Sequence, residues 1–185
     1  MNKTNHSNIL IIGGGCAGIS VATRLHNLKS DLSISIIEPS DQSLYQAAWT
    51  LVGAGAYDKD KTIKPMTEVM PSYVNWIKDH AESFAPESNS VKTSNGEHSY
   101  DYLVVCPGLK INYAGIPGLQ ESIGKNNVCT NYSADMAVYT WECLKNLKGG
   151  TLLFTEPPMP IKCAGAPQKI AYLAADHLKQ KGLLN

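Results

Sequence analysis

The spacing of apolar residues changes abruptly along the first part of the chain. Ile9, Leu10, Ile11 and Ile12 form an unbroken apolar run over residues 8–12 that stops at three glycines. Such a run suits a central parallel strand covered on both faces. Over residues 17–28 the period lengthens: Ile19, Ala22, Leu25 and Leu28 recur at helical spacing, as a helix docked on a sheet requires. Residues 32–37 (LSISII) read as a second strand ending at Glu38-Pro39. Together these predict a β-α-β unit with a right-handed crossover.

Further along, the pattern weakens and then returns. Residues 43–55 (SLYQAAWTLVGAG) are aromatic and glycine-bearing without clean periodicity, and read as a functional loop and a short helix. Residues 73–100 predict a small antiparallel meander, with Ser94-Asn95-Gly96 as a hairpin turn. Residues 101–106 (DYLVVC) read as a buried strand stopped by Pro107-Gly108. A helix is expected over 133–147, capped by Ser133 and ended by Gly149-Gly150. Then a strand over 151–155 (TLLFT) and a helix over 167–181 repeat the opening β-α, with no following strand before Asn185.

Composition narrows the function classes. Lys+Arg and Asp+Glu are both 16, a formal charge of zero, which excludes a nucleic-acid binder driven by bulk charge. No apolar run reaches about 18 residues, so no membrane-spanning helix is expected. The polar start, Met1 to Ser7, leads straight into a strand and leaves no room for a signal peptide. A cytoplasmic chain with reduced thiols is therefore expected. The five cysteines form no C-x-x-C pair and the five histidines lack ligand spacing, so no metal site is expected.

Gly13-Gly14-Gly15-Cys16-Ala17-Gly18 fits G-x-G-x-x-G between a strand and a helix, and Glu38 lies 20 residues beyond Gly18. In that context the pattern is a dinucleotide fingerprint. Gly13 permits the tight turn, Gly15 lets a pyrophosphate approach the backbone, and Gly18 lets helix pack on strand. The helix N-terminus supplies N–H donors to the phosphates. Glu38 can accept both hydroxyls of an adenosine ribose and disfavours a 2′-phosphate. FAD and NAD both fit. The fold class expected is α/β: a Rossmann-like domain over 1–148 with a parallel sheet, helices and the meander, then the start of a second Rossmann-like unit over 149–185. In that second unit Thr155-Glu156-Pro157-Pro158-Met159-Pro160 replaces a glycine fingerprint. Prolines remove N–H donors, so a nicotinamide donor is disfavoured.

Cys163 lies just before a helix N-terminus and between Lys162 and Lys169, features that favour a thiolate; a small buried hydrophobe is the competing reading. Cys129 falls in a loop and could be reactive, whereas Cys106 and Cys143 read as packing and Cys16 as a variable position of the phosphate loop. Tyr45, Gln46 and Trp49 could line a cofactor edge or simply anchor their loop.

These residues resemble the sulfide:quinone oxidoreductases, a branch of the two-dinucleotide-domain flavoproteins that includes glutathione reductase and type II NADH dehydrogenases. The resemblance rests on the fingerprint, on Asp101 to Gly108 (DYLVVCPG), on Tyr45-Gln46 with Trp49 to Gly55 (WTLVGAG), and above all on Ile161 to Lys169 (IKCAGAPQK). It implies FAD in the first site, with Gly13, Gly14, Gly15, Cys16, Ala17 and Gly18 around the pyrophosphate, Glu38 at the ribose, Gln46 and Gly108 near the cofactor, and the backbone of Ala81 near the adenine. It implies Cys163 as the redox cysteine beside the flavin and Cys129 as a third sulfur-handling cysteine. In that family hydrosulfide leaves a persulfide on cysteine, and two electrons pass through the flavin to a membrane quinone. The likeness matches the N-terminal half or less of a family member. The partner cysteine, the glycine-aspartate flavin motif and the helices that give peripheral inner-membrane contact are expected beyond Asn185, and a truncated, inactive chain is an expected outcome. The alternatives are a type II NADH:quinone oxidoreductase-like flavoprotein and a non-catalytic FAD-binding fragment.

Overall fold

The computed structural model describes residues 5–184, so the first four residues of the polar start lie outside it. In chain order the elements are β1 (His6–Ile12), α1 (Cys16–Leu28), β2 (Ile34–Ile37), β3 (Gln42–Leu44), α2 (Trp49–Gly53), β4 (Ile63–Pro65), α3 (Met66–Val69), β5 (Val74–Ile77), β6 (Ala81–Ala85), β7 (Ser90–Thr93), β8 (Gly96–Val105), α4 (Leu119–Ser122), α5 (Ala134–Asn146) and α6 (Gly165–Gln180). They fall into two compact units, Met1–Leu44 with Lys64–Gly108, and Tyr45–Ile63 with Leu109–Asn185. The division expected at 148 falls inside the second unit.

The first unit is built on a six-stranded sheet in the order β5-β2-β1-β8-β7-β6. β1 pairs in parallel with β2 and β8, and β2 with β5, while β8-β7 and β7-β6 are antiparallel. Only Lys78 to His80 join β5 to β6, the two ends of that order. The link from Ile77 to Ala81 reaches about 14 Å at full stretch, against about 24 Å across five strand spacings of a flat sheet. The antiparallel part must therefore fold back over the parallel part. The side chains agree: Val91, Tyr100 and Ala81 pack on Leu10, Ile12 and Ile37. On the opposite face Ala22, Ile19 and Leu25 of α1 cover Ile9, Ile11, Ile34 and Ile36. The uninterrupted apolar run of β1 thus fills two cores, alternate residues serving each. Leu10 and Ile11 are fully buried, and such burial stabilises by about 1.5–3 kcal/mol per side chain.

Several expectations are corrected in this unit. The strand expected at 101–106 is the end of the ten-residue β8, which starts at Gly96. It is not buried throughout, since Tyr102 is 71% exposed: α1 covers β1 and β2 and leaves this position bare. The expected meander over 73–100 holds for β6, β7 and β8, but β5 joins the parallel sheet instead. The hairpin turn is where expected, with Thr93 paired to Gly96 across Ser94-Asn95.

The second unit is helical. α2 packs on α5 through Trp49, Val52 and Ala137, and α6 on α5 through Leu144, Ile170 and Ala174. Ser133 stands at the N-cap of α5 without a side-chain hydrogen bond, and the helix ends at Asn146, before Gly149-Gly150. α6 begins at Gly165, two residues before the expected start at Pro167, and Gly182 follows it in the left-handed region with φ +67°. The strand expected at 151–155 does not form. Leu153 is 86% exposed, and among the described residues no strand lies alongside to complete a ladder.

Asp79, in the link between β5 and β6, ties the turn of the β7-β8 hairpin. Its carboxylate accepts from the backbone N–H groups of His80 (2.7 Å) and Asn95 (2.9 Å), from Ser94 Oγ (2.9 Å) and from Asn95 Nδ2 (2.8 Å). Burial alone would raise its pKa, but these donors outweigh it and hold the carboxyl well below the usual carboxylate range. A depressed carboxyl stabilises the fold above the unfolded value of about 4, and that contribution is lost as pH falls below it. Asp79→Asn is expected to lower the urea midpoint at pH 7, with the gap from wild type narrowing at about pH 3. An unchanged gap would contradict the assignment.

Candidate functional site

The turn from β1 into α1 is shaped by contacts that exclude side chains. Gly13 has φ +102°, and a Cβ there would lie 2.2 Å from the carbonyl oxygen of Cys106. A Cβ on Gly18 would lie 1.9 Å from the carbonyl oxygen of Gly13, so only glycine lets the first turn of α1 sit this close to the strand exit. Gly14 is pressed against the side chain of Glu38, whose Oε2 accepts from the Gly14 N–H at 2.7 Å. The second oxygen, Oε1, accepts from the Ser40 N–H at 2.8 Å.

Gly15 differs from its neighbours. A Cβ there would meet nothing within 4 Å, and Gly15, Cys16 and Ala17 are exposed while Gly13, Gly14 and Gly18 are buried. The open face lies where α1 begins, and α1 has no side-chain cap and no acidic residue in its first turn. The first N–H groups of a helix lack intrahelical acceptors, and the helix dipole adds partial positive charge there. An arrangement of this kind is suited to receive phosphate oxygens.

The remaining expected residues fall in two places. Gly108 closes the first unit with φ +80° and is exposed, and Ala81 opens β6, where it packs, half-buried, against the core of Leu10, Ile12 and Ile37. Cys106 lies beside the glycine turn, its Sγ 3.8 Å from the Gly13 carbonyl it donates to, and burial pushes its thiol pKa up. It packs, as expected. Gln46, Cys129 and Cys163 belong to the second unit. Gln46 is exposed in a short 3-10 turn, as is Tyr45 before it, but Trp49 is a core residue at 4% exposure whose Nε1 donates to Thr62 Oγ1 at 3.2 Å. Of the two readings given for that aromatic, anchoring is the one realised.

Cys163 is exposed, immediately ahead of α6, with φ +54°. Left-handed backbone is unfavourable for a β-carbon-bearing residue by about 1–2 kcal/mol and clusters at functional sites. Its carbonyl accepts the Ala166 N–H at 2.9 Å, which tethers it to the helix start. Tyr132, which the sequence did not mark, adjoins it. Burial first, then the charges of Cys163 and Glu156, push the phenol pKa up. The Tyr132 hydroxyl is buried without a hydrogen-bond partner among the described residues, and Lys162 Nζ stands 5.8 Å from the ring centre. Cys129 is half-buried. Burial, then the thiol of Cys143 beside it, push its pKa up to about 12. That neighbour was read from sequence as packing; no local pattern links residues so far apart.

The sequence model for the pyridine nucleotide-disulphide oxidoreductases matches residues 7–138. This chain belongs to that family. Among curated relatives, the mitochondrial sulfide:quinone oxidoreductases of Mus musculus and Dictyostelium discoideum are 40% and 43% identical over 96% and 97% of this chain. A type II NADH:quinone oxidoreductase of Staphylococcus aureus is 26% identical over 61% of it. The crystal structure of sulfide:quinone oxidoreductase from Aquifex aeolicus superposes with a TM-score of 0.72 at 27% identity, covering 96% of this chain and 40% of that one. The chain spans about 40% of the length of the sulfide:quinone oxidoreductases it matches. Members of this oxidoreductase family that it resembles are FAD flavoproteins, and the first unit fits that cofactor: an open phosphate cradle stands beside a carboxylate. Each Glu38 oxygen has donated one lone pair to a backbone N–H and keeps another for a ribose hydroxyl.

Two alanine substitutions separate fold from binding. Gly18→Ala drives a methyl into the Gly13 carbonyl, and overpacking of this kind destabilises by about 1–3 kcal/mol. Gly15→Ala has room for its methyl in the protein and is expected to leave the thermal midpoint unchanged. It is expected to weaken FAD binding at least about tenfold by holding the phosphates off the backbone. Thermal unfolding and fluorescence titration with FAD read the two effects; equal FAD affinity in Gly15→Ala would contradict the cradle.

Proposed function

We propose that this chain carries the FAD-adenosine site and the first redox cysteine of an enzyme that oxidises sulfide and passes the electrons to a quinone. The observation that supports this most strongly is Cys163: exposed, left-handed, tethered to the start of α6, and set in the Ile161–Lys169 segment of a chain about 40% identical to sulfide:quinone oxidoreductases over nearly all its length.

Under this reading the N–H groups of Cys16 and Ala17 and the backbone of Gly13, Gly14, Gly15 and Gly18 bind the pyrophosphate. Glu38 holds the adenosine ribose and repels a 2′-phosphate. Ala81 contributes backbone near the adenine, and Gln46 and Gly108 lie along the cofactor. Bound there, the flavin supplies two-electron acceptance from sulfur and release to quinone. Cys163 presents the sulfur that receives the oxidised sulfane atom, and its exposed position just ahead of α6 gives hydrosulfide a route to it. Cys129, the second cysteine assigned to the chemistry, is held protonated at neutral pH by burial and the neighbouring Cys143 thiol, which slows it as a nucleophile. The segment Thr155 to Pro160 forms neither strand nor helix, and its three prolines offer no N–H to a pyrophosphate, which disfavours NADH as the reductant. Quinone reduction places the enzyme at a membrane surface. Under this reading that contact is peripheral; among the described residues no helix is long and apolar enough to cross a membrane.

In an FAD-loaded protein that continues this chain to the full length of its relatives, anaerobic sulfide is expected to bleach the flavin absorbance, and NADH is not. Cys163→Ser is expected to retain FAD while losing sulfide bleaching by two orders of magnitude or more, about the loss expected for a covalent nucleophile. Bleaching by sulfide at the wild-type rate in that variant, or rapid bleaching by NADH, would overturn the proposal.

A further inference from the structure

Among the cysteines, Cys129 and Cys143 stand together on one side of the second unit, and sulfide oxidation at Cys163 makes no use of Cys143. Asn126 and Asn127 are consecutive left-handed residues, φ +50° and +64°. They turn the chain back toward α5. There the Asn127 N–H donates to the Tyr139 hydroxyl at 3.1 Å. The same residue anchors both sulfurs. Cys129 Sγ donates to its backbone carbonyl at 3.5 Å, and Cys143 Sγ to its side-chain Oδ1 at 3.7 Å. Cys143 and Thr140 are also neighbours of the Cys129 thiol. Cys143 lies four positions after Tyr139 and three after Thr140 on α5, so it shares a face with each of them, the face against which the loop lies.

We propose that Cys129 and Cys143 are a redox-active dithiol, a modification site that closes to an intramolecular disulfide by exchange with a small-molecule disulfide. The proposal stands on this geometry and not on the sulfide reading. A disulfide needs its Cβ atoms about 3.5–4.5 Å apart. One partner is fixed on a helix and the other sits in a loop, so closure asks only the loop residue to adjust. One thiolate of the pair attacks a sulfur of the small disulfide, forms a mixed disulfide and expels one small thiolate. The second thiol loses its proton to solvent and attacks the protein sulfur of that mixed disulfide. The protein disulfide forms and the second small thiolate leaves. Two electrons pass from the pair to the small disulfide, which is reduced to two thiols; nothing else is consumed. Closure also removes both S–H donors from Asn127 while leaving its N–H bond to Tyr139. The loop then changes its tether from hydrogen bonds to a covalent link.

Trypsin isolates the pair from the other cysteines, because Lys125 and Lys145 bound a peptide, 126–145, that contains Cys129 and Cys143 alone. The folded protein is incubated with glutathione disulfide, free thiols are then alkylated, and the digest is read by mass spectrometry. The expected peptide is lighter by a pair of hydrogens, carries no alkyl group and no glutathione, and regains two alkylation sites after dithiothreitol. In Cys129→Ser, glutathione is expected to remain on Cys143, because the resolving thiol is gone. Alkylation of both cysteines in the treated wild type, stable glutathione on peptide 126–145, or a link from either cysteine to Cys16, Cys106 or Cys163 would overturn the proposal.

Discussion

The contact of Gly18 with the Gly13 carbonyl, and of Gly13 with the Cys106 carbonyl, is the constraint on which the first unit turns. A Cβ at either position would sit about 2 Å from a backbone oxygen, a separation no rotamer change relieves. With both glycines in place, β1 ends tight against the end of β8, and α1 starts directly above the strand exit. The exposed first turn of α1 then faces solvent at Gly15 to Ala17. The same compaction brings Gly14 against Glu38, so one carboxylate is positioned by the backbone it helps to close. The proposed phosphate cradle and the proposed ribose acceptor are therefore products of a single turn.

Around that turn, burial is arranged by the fold-back of the sheet. Alternate residues of β1 enter a core under α1 and a core under β7 and β8. The short link through Asp79 forces this arrangement, and the hydrogen bonds that Asp79 accepts from Ser94 and Asn95 fasten the link to the hairpin it must meet. A buried polar rung follows the same logic. Ser35 in β2 bonds Ser7 at 2.6 Å and Asn75 at 3.1 Å, so the serine within β2 is satisfied across three strands.

What was legible in the sequence was local. The change from an apolar run to helical spacing, the glycines between them and Glu38 at the next strand end all lie within one supersecondary unit, where period and turn chemistry decide the outcome. The failures were tertiary. Residues 151–155 have the composition of a strand, but β structure needs a neighbour, and apolar composition alone does not supply one. Val74–Ile77 looked like part of the meander, but its place beside β2 is set by pairing that leaves no mark in its own residues. The five cysteines show the same limit. Cys106 touches the glycine turn, Cys129 and Cys143 meet on Asn127, and Cys163 stands exposed in a left-handed turn. Their spacing along the chain distinguishes none of these surroundings. Tyr132, beside Cys163, is legible only once the loop before α5 is folded.

The central claim is that the first unit holds the adenosine diphosphate half of FAD through the turn at Gly13–Gly18 and the carboxylate of Glu38. The most direct test is competition for FAD bound to the purified chain, followed by flavin fluorescence. ADP is expected to displace FAD, while adenosine carrying an additional 2′-phosphate competes far less well because Glu38 repels it. Failure to bind FAD, displacement indifferent to ADP, or equal competition by the 2′-phosphorylated nucleotide would contradict the account.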